Sequence, residues 1–182
     1  MIPLLLMAAT VSRVIEGNPE SRVRVVIYED LQCGDCAAFR RMLDEHLLPR
    51  YGTRVAFEHR DFPLAKHAWA RRAAVAGRFF DSVKAEAGIA WRRHILASIR
   101  ETTPANLAER VADFARRAGV DASRAVAALD DPALAALVEK DYQEGIARGI
   151  AKTPTVLAGG ALLVETFTFE EISRVIEAEL AR

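Results

Sequence analysis

A β-branched run that hands over to an amphipathic helix constrains this chain more than any other feature. Val23-Arg24-Val25-Val26-Ile27-Tyr28 is bounded by Asn18-Pro19 on one side and Glu29-Asp30 on the other. Its near-continuous apolarity predicts a central strand covered on both faces. Just beyond it, Cys36, Phe39, Leu43 and Leu47 recur every three or four residues and predict one apolar helix face from Cys33 to Leu48. Pro49 is expected to close that helix. Val55 to His59 then alternates as a strand should.

The pattern next turns helical for a long stretch. Trp69, Ala73, Ala76, Phe80 and Val83 form one stripe, and Trp91, Ile95 and Ile99 form a second. Leu107, Val111, Phe114 and Ala118 form a third, with Thr103 expected as cap and Pro104 at the first helical position. Leu134, Val138, Tyr142, Ile146 and Ile150 form a fourth, opened in the same way by Asp131 and Pro132. Strands return at Thr155–Ala158 and Ala161–Val164, with Gly159-Gly160 as a two-residue hairpin turn. Thr168 and Glu171 read as a capping box for a last helix from Phe169 to about Leu180. The order predicts an α/β sandwich in which a helical block at about 65–150 is inserted between a βαβ half and a ββα half.

A chain of 182 residues is expected to form a single domain, here 1–182. Lys plus Arg and Asp plus Glu number 25 each, so no basic face is expected for nucleic acid or an anionic membrane. Ile2 to Ala9 is apolar but too short to span a bilayer, and no Lys or Arg precedes it. We read it as part of the first strand. The lack of a secretory signal favours the cytoplasm, whereas a true start further upstream would make the protein periplasmic or otherwise extracytoplasmic.

The chain has only two cysteines, in Cys33-Gly34-Asp35-Cys36. A bridge across so short a loop constrains the unfolded chain very little, so the pair reads as chemistry rather than as a staple. It lies where the buried strand passes into the helix. The unpaired N–H groups and partial positive charge of a helix N-terminus stabilise a thiolate. Three-residue spacing puts both sulfurs on one face, close enough to bridge. Cys33 is expected to be exposed and to attack, while Cys36 belongs to the apolar stripe and resolves the mixed disulfide. Zinc would want four ligands and an iron–sulfur cluster four thiolates; His46, His59, His67 and His94 show no ligand spacing. No metal and no cofactor beyond the cysteine pair is therefore expected. Thr153-Pro154-Thr155, taken alone, is an ordinary strand-starting proline.

Together these segments resemble the DsbA-like branch of the thioredoxin superfamily. The resemblance runs from about Val11 to Leu180. It is carried by Val25 to Cys33, by Arg60-Asp61-Phe62-Pro63-Leu64 with His67, by Gly88 to Leu96 with Trp91, and by Gly149 to Thr155. It implies a thioredoxin fold, with βαβ and ββα halves around a central mixed sheet. Cys33 would be the nucleophile, Cys36 the resolving thiol and Pro154 a cis-proline, with Thr153 offering its backbone to an extended substrate peptide. The implied activity is thiol–disulfide exchange with cysteine-containing protein substrates, by a monomer whose cysteine pair a redox partner recycles. Two other readings stand beside it: a non-catalytic thioredoxin-fold peptide-binding module, and a glutathione-dependent transferase or isomerase, against which Cys36 argues.

Two departures from the family pattern matter. Between the cysteines stand Gly34 and Asp35, where relatives often carry proline and a histidine or aromatic residue. The Asp35 carboxylate is expected to raise the Cys33 pKa and make the couple more reducing than that of DsbA, with Lys152 as the group that could offset it. Ile27 occupies a place where some thioredoxin-fold enzymes keep a buried acid that takes the proton from the resolving thiol; Ile27 cannot, and Glu29 or Asp30 is the alternative, although both read first as solvated loop carboxylates. His59, His67 and His94 read as structural or surface residues, Trp69 and Trp91 as core, and Phe62-Pro63-Leu64 as turn packing or part of a substrate groove.

Overall fold

The structure, a computed structural model, describes residues 14–182. The strand expected within Ile2–Ala9 lies outside the described residues. Among the described residues the strands are β1 (Ile15–Gly17), β2 (Arg24–Glu29), β3 (Ala56–Asp61), β4 (Thr155–Ala158) and β5 (Ala161–Val164). They form one sheet in the order β1-β3-β2-β4-β5. β2 runs parallel to β3, with Val25 opposite Phe57 and Glu29 opposite Asp61. It runs antiparallel to β4, with Ile27 opposite Val156. The hairpin between β4 and β5 turns on Gly159 and Gly160, whose φ values of 52° and 80° are what a two-residue turn of this kind demands.

The βαβ half is closed by α1 (Gly34–Met42), a wider π-turn segment (Leu43–Leu47) and α2 (Leu48–Tyr51). The helix does not stop at Pro49 as expected. Proline lacks an N–H and its ring crowds the carbonyl four residues back, and the π segment just before it supplies the change of hydrogen-bond register that carries the chain past. Phe39, Leu43 and Leu47 pack on Val25, Ile27, Phe57 and Val156, together with Ile172 and Ile176 of α8 (Phe169–Leu180). Thr168 and Glu171 close the expected capping box on α8.

The helices of the block are α3 (Ala70–Val83), α4 (Ala85–Ala97), α5 (Leu107–Arg117), α6 (Ala122–Ala127) and α7 (Pro132–Ala147). Trp69, Phe80, Trp91, Ile95, Leu107, Val111 and Phe114 form a second core that includes both cysteines. The indole N–H of Trp91 donates to the Ala73 carbonyl at 2.9 Å. Asp131 caps α7 as expected, accepting from Ala133 and Leu134. α5, however, begins at Leu107 with Asn106 at its cap. Thr103 and Asn106 instead exchange side-chain and backbone hydrogen bonds around a turn that contains Pro104. Val83, Ala118 and Ile146 end up exposed, because the first and last lie in the final turns of α3 and α7 and Ala118 lies just past the end of α5.

Buried charges tie block to sheet. Arg92 of α4 lies 3.0 Å from Glu29 and 2.9 Å from Asp61. Arg78 of α3 pairs with Asp61 and with Asp141 of α7. His59 of β3 is held between Glu16 and Glu29 at 2.9 Å from each, and Arg40 of α1 pairs with Glu16. Burial alone would push His59 down; the Glu29 charge and the bonds to Glu16 and Glu29 outweigh it and raise its pKa.

α7 approaches the far face of the sheet through Gly145. A Cβ there would come within 2.6 Å of the Phe62 ring and 3.0 Å of the Tyr28 ring. Alanine is the better helix former by about 1 kcal/mol. The overlap decides the sign: Gly145→Ala is expected to lower stability by about 1–3 kcal/mol. A guanidinium chloride melt checks this, and a gain in stability would show that the contact is not tight.

Candidate active site

The two parallel strands β2 and β3 end side by side, and the loops that leave them build the site. This is where open α/β sheets place ligands, beyond the carboxyl ends of their strands. The loop after β2 runs Asp30-Leu31-Gln32-Cys33. The Cys33 N–H donates to the Asp30 carbonyl at 3.0 Å, and its own carbonyl accepts from Ala37 at 3.1 Å. Extended backbone at Cys33 (φ −86°, ψ 127°) makes it the N-cap of α1, with Gly34 as the first helical residue. A Cβ on Gly34 would meet nothing within 4 Å, so this position imposes no packing on the site.

Both cysteines are free thiols. Cys33 is only 8 % exposed, against 1 % for Cys36. The expectation of an exposed Cys33 is thus corrected. Its sulfur is recessed beneath the Thr153 carbonyl, 3.3 Å away, and is reached through a cleft of about 410 Å³ shared with Leu64, Lys66, Lys152 and Glu165. The Cys33 pKa falls to about 6. The Cys36 thiol, donating to the Cys33 sulfur, is the largest cause, and it outweighs the burial that opposes it. The backbone N–H groups of Cys36 and Asp35 add to the effect; neither makes a regular cap hydrogen bond, yet both favour the charged sulfur. The Thr153 side chain acts in the same direction. Burial first, and Cys33 second, push the Cys36 thiol well above its ordinary value.

The rise expected from the Asp35 carboxylate is therefore outweighed. What Asp35 brings to Cys33 is a backbone N–H that helps the thiolate. Lys152 does not offset it either, because its ammonium is paired with Glu165 at 2.7 Å.

The Thr153–Pro154 peptide is cis. Its loop is pinned on both sides: the Thr155 hydroxyl donates to the Lys152 carbonyl at 2.7 Å, and the Glu165 N–H donates to the Pro154 carbonyl at 2.8 Å. The structure thus brings Cys33, Gly34, Asp35, Cys36, Thr153 and Pro154 together at one end of the sheet. Of Phe62-Pro63-Leu64, only Leu64 lines the cleft, while Phe62 is buried against Tyr28 and Tyr142.

Sequence reasoning read Glu29 and Asp30 first as solvated, and gave His67 no partner. Both carboxylates are buried rather than solvated. Burial raises the Glu29 pKa, but the His59 charge and bond, followed by Arg92, outweigh it and leave a stable carboxylate. Burial raises the Asp30 pKa, against hydrogen bonds from Leu64, Gln32 and His67. His67 takes the structural rather than the surface alternative, since its Nδ1 meets Asp30 at 2.8 Å. No local signal marks this pairing, whose partners are far apart in sequence.

A family model described as thioredoxin matches residues 9–178. The chain belongs to the thioredoxin family. Its fold is DsbA-like. It superposes on oxidised BdbD from Bacillus subtilis with a TM-score of 0.85 at 20 % identity, covering 93 % of this chain and 94 % of that one. With α-DsbA1 from Wolbachia pipientis the TM-score is 0.79 at 17 % identity, covering 98 % and 92 %. A curated relative, the Na(+)/H(+) antiporter NhaA from Herminiimonas arsenicoxydans, is 26 % identical over 172 residues. That match takes in 90 % of this chain, which spans 25 % of the antiporter's length. Among the described residues of this thioredoxin-family chain, no group of three or more His, Cys, Asp or Glu side chains is placed to hold a metal. No helix described is long and apolar enough to cross a membrane.

The split between the two thiols gives a direct expectation. Thiolate absorbance should rise with a midpoint near pH 6, owed to Cys33, and be lost in Cys33→Ser. Alkylation at neutral pH, located by peptide mass spectrometry, should label Cys33 before Cys36. Equal labelling would show that the two sulfurs are not distinguished.

Proposed function

We propose that this chain is a thiol–disulfide oxidoreductase that acts on cysteine-containing proteins through Cys33 and Cys36. The observation that carries the reading is the opposition of the two thiols. One is shifted down to about 6 and opens on a cleft beside the cis Thr153–Pro154 peptide; its partner is buried and shifted up. Nothing about packing two core cysteines calls for that difference.

In the reducing direction the Cys33 thiolate attacks one sulfur of a substrate disulfide. The substrate S–S bond breaks, a Cys33–substrate disulfide forms, and the released sulfur takes up a proton. Cys36 then loses its proton and attacks the Cys33 sulfur. The mixed disulfide breaks, the substrate leaves as a dithiol, and the Cys33–Cys36 disulfide remains. Oxidation of a substrate is the same sequence reversed. Either way, a redox partner must restore the pair by supplying or removing two electrons. Thr153, whose carbonyl lies 3.3 Å from the Cys33 sulfur, and Pro154 form the edge along which an extended substrate backbone would lie. In the same reading the chain works as a monomeric thioredoxin domain with its helical insertion at about 65–150.

A thiolate pKa of about 6 lies between those of thioredoxin, about 7, and DsbA, about 3.5. The potential should accordingly fall between about −270 mV and about −120 mV, nearer the thioredoxin end. Equilibration with glutathione buffers measures it, and a value at the DsbA end would refute the link drawn from the thiolate.

Insulin reduction tests the enzyme reading itself. Cys33→Ser should abolish it. Cys36→Ser should accumulate a mixed disulfide with insulin that survives non-reducing electrophoresis. Full activity in the Cys33 variant would end the proposal.

A further inference from the structure

The wall of the cleft opposite the cis-proline loop is formed by Leu64, Ala65 and Lys66, which belong to neither strand nor helix. What holds it in place is the Asp30 side chain. That carboxylate has no exposure to solvent. Its Oδ2 accepts the Leu64 N–H at 2.7 Å and meets His67 Nδ1 at 2.8 Å, while its Oδ1 accepts the Gln32 N–H at 2.7 Å. The backbone of the same residue bonds to both cysteines: its N–H donates to Cys36 Sγ at 3.4 Å, and its carbonyl accepts from the backbone N–H of Cys33. Gln32 extends the link outward, its side-chain oxygen accepting the Trp69 N–H at 2.9 Å.

We infer that Asp30 is a positioning residue, clamped by His67, that sets the Leu64–Lys66 wall at the right distance from Cys33 to receive a substrate. The inference rests on the disulfide-exchange reading and assigns that site a substrate-positioning part. Three donors converge on two oxygens, which only a carboxylate can satisfy at once. An asparagine offers a single acceptor oxygen and two further donors, so at least one of the three bonds must break. His67 is the outer member, with 18 % of its side chain exposed, so replacing it reaches the clamp without opening the core.

A wall that positions substrate predicts a split between binding and chemistry. In insulin reduction, His67→Ala should raise KM several-fold and leave kcat within about twofold. His67→Asn places an amide N–H near where Nδ1 stood and should restore most of the loss. Asp30→Asn should raise KM about tenfold, as expected for losing a hydrogen bond to a buried charge. The double variant should be no worse than Asp30→Asn alone, because both changes release one contact. The Cys33 thiolate midpoint should stay in place in His67→Ala.

A residue that merely supports the fold would instead lower kcat in step with the folded fraction and leave KM alone. That result, or an additive double variant, overturns the inference. Should Asp30→Asn fail to fold, the His67→Ala and His67→Asn pair decides. An inactive wild-type protein overturns the exchange reading itself. An active one with KM unmoved in His67→Ala overturns the inference alone. Hydrogen exchange at the Leu64 amide gives a readout apart from turnover: it should quicken in His67→Ala, and unchanged exchange counts against the clamp.

Discussion

The guanidinium of Arg92, wholly removed from water, sits between Glu29 and Asp61. Those two residues are the last of β2 and β3 and stand opposite each other in the parallel ladder. One strand end leads into the cysteine loop and the other into the Leu64–His67 wall. A single buried cation from α4 thus fixes the spacing of the two loops that make the site, and it does so from within the inserted helices. Such a pair is weak evidence of net stability, since desolvation offsets much of the attraction. Its weight lies in the asymmetry. Removing Arg92 alone would leave Glu29 with only His59 and Asp61 with only Arg78 to offset their buried charge, at a cost of up to about 3–5 kcal/mol. The pair therefore ties the block to the sheet in one arrangement, whatever it adds to the depth of the native well.

The charges around it follow the same logic. Glu16, Glu29 and Asp61 all titrate lower than burial alone would allow, because His59, Arg40, Arg78 and Arg92 face them. His59 is raised by the same partners. Asp141 and Asp81 differ: burial raises both, Asp141 despite its pairing with Arg78. Asp81 is the less well held. It stands 3.9 Å from Arg92, both of its oxygens lack a hydrogen bond among the described residues, and burial lifts it to about 6. Arg92 Nε and a terminal nitrogen likewise lack a hydrogen bond among the described residues, so Arg92 is held by charge on its Asp81 side and by a hydrogen bond on its Glu29 side.

How much of this could be read from the chain depended on the range of each interaction. The β4–β5 hairpin, the α7 cap and the α8 capping box are set by residues within a few positions of one another; both strands and α8 have the expected bounds, and α7 starts where expected but ends at Ala147, short of Ile150. Pro49 and Thr103 misled because tertiary packing and a competing side-chain turn settled those helix ends, which no single residue type can announce. The cysteine pair was legible because helix geometry alone brings residues three apart onto one face. The Arg92–Glu29, Arg92–Asp61 and Asp30–His67 pairs were not. A charged side chain in an isolated sequence reads as solvated by default, and only the fold shows that partners from distant segments arrive to satisfy it.

The same range argument bears on what sets the redox chemistry. Asp35 is adjacent in sequence to the reacting pair and was given weight for its charge. The groups that move Cys33 most are instead the Cys36 thiol, the backbone at the tip of α1 and Thr153 from the far side of the insert. A single hydrogen bond does double duty there. By donating to Cys33, the Cys36 thiol stabilises the attacking thiolate, and by losing its proton less readily it delays its own attack. This interaction exists only in the reduced pair and vanishes when the disulfide forms. Substitutions that strengthen it favour the dithiol and make the couple more oxidising. Changes in exposed charge at Asp35, by contrast, are screened by water and act weakly on both states. The lever on potential in this chain is therefore the geometry at the helix tip and at Thr153, rather than the sign of the residue between the cysteines.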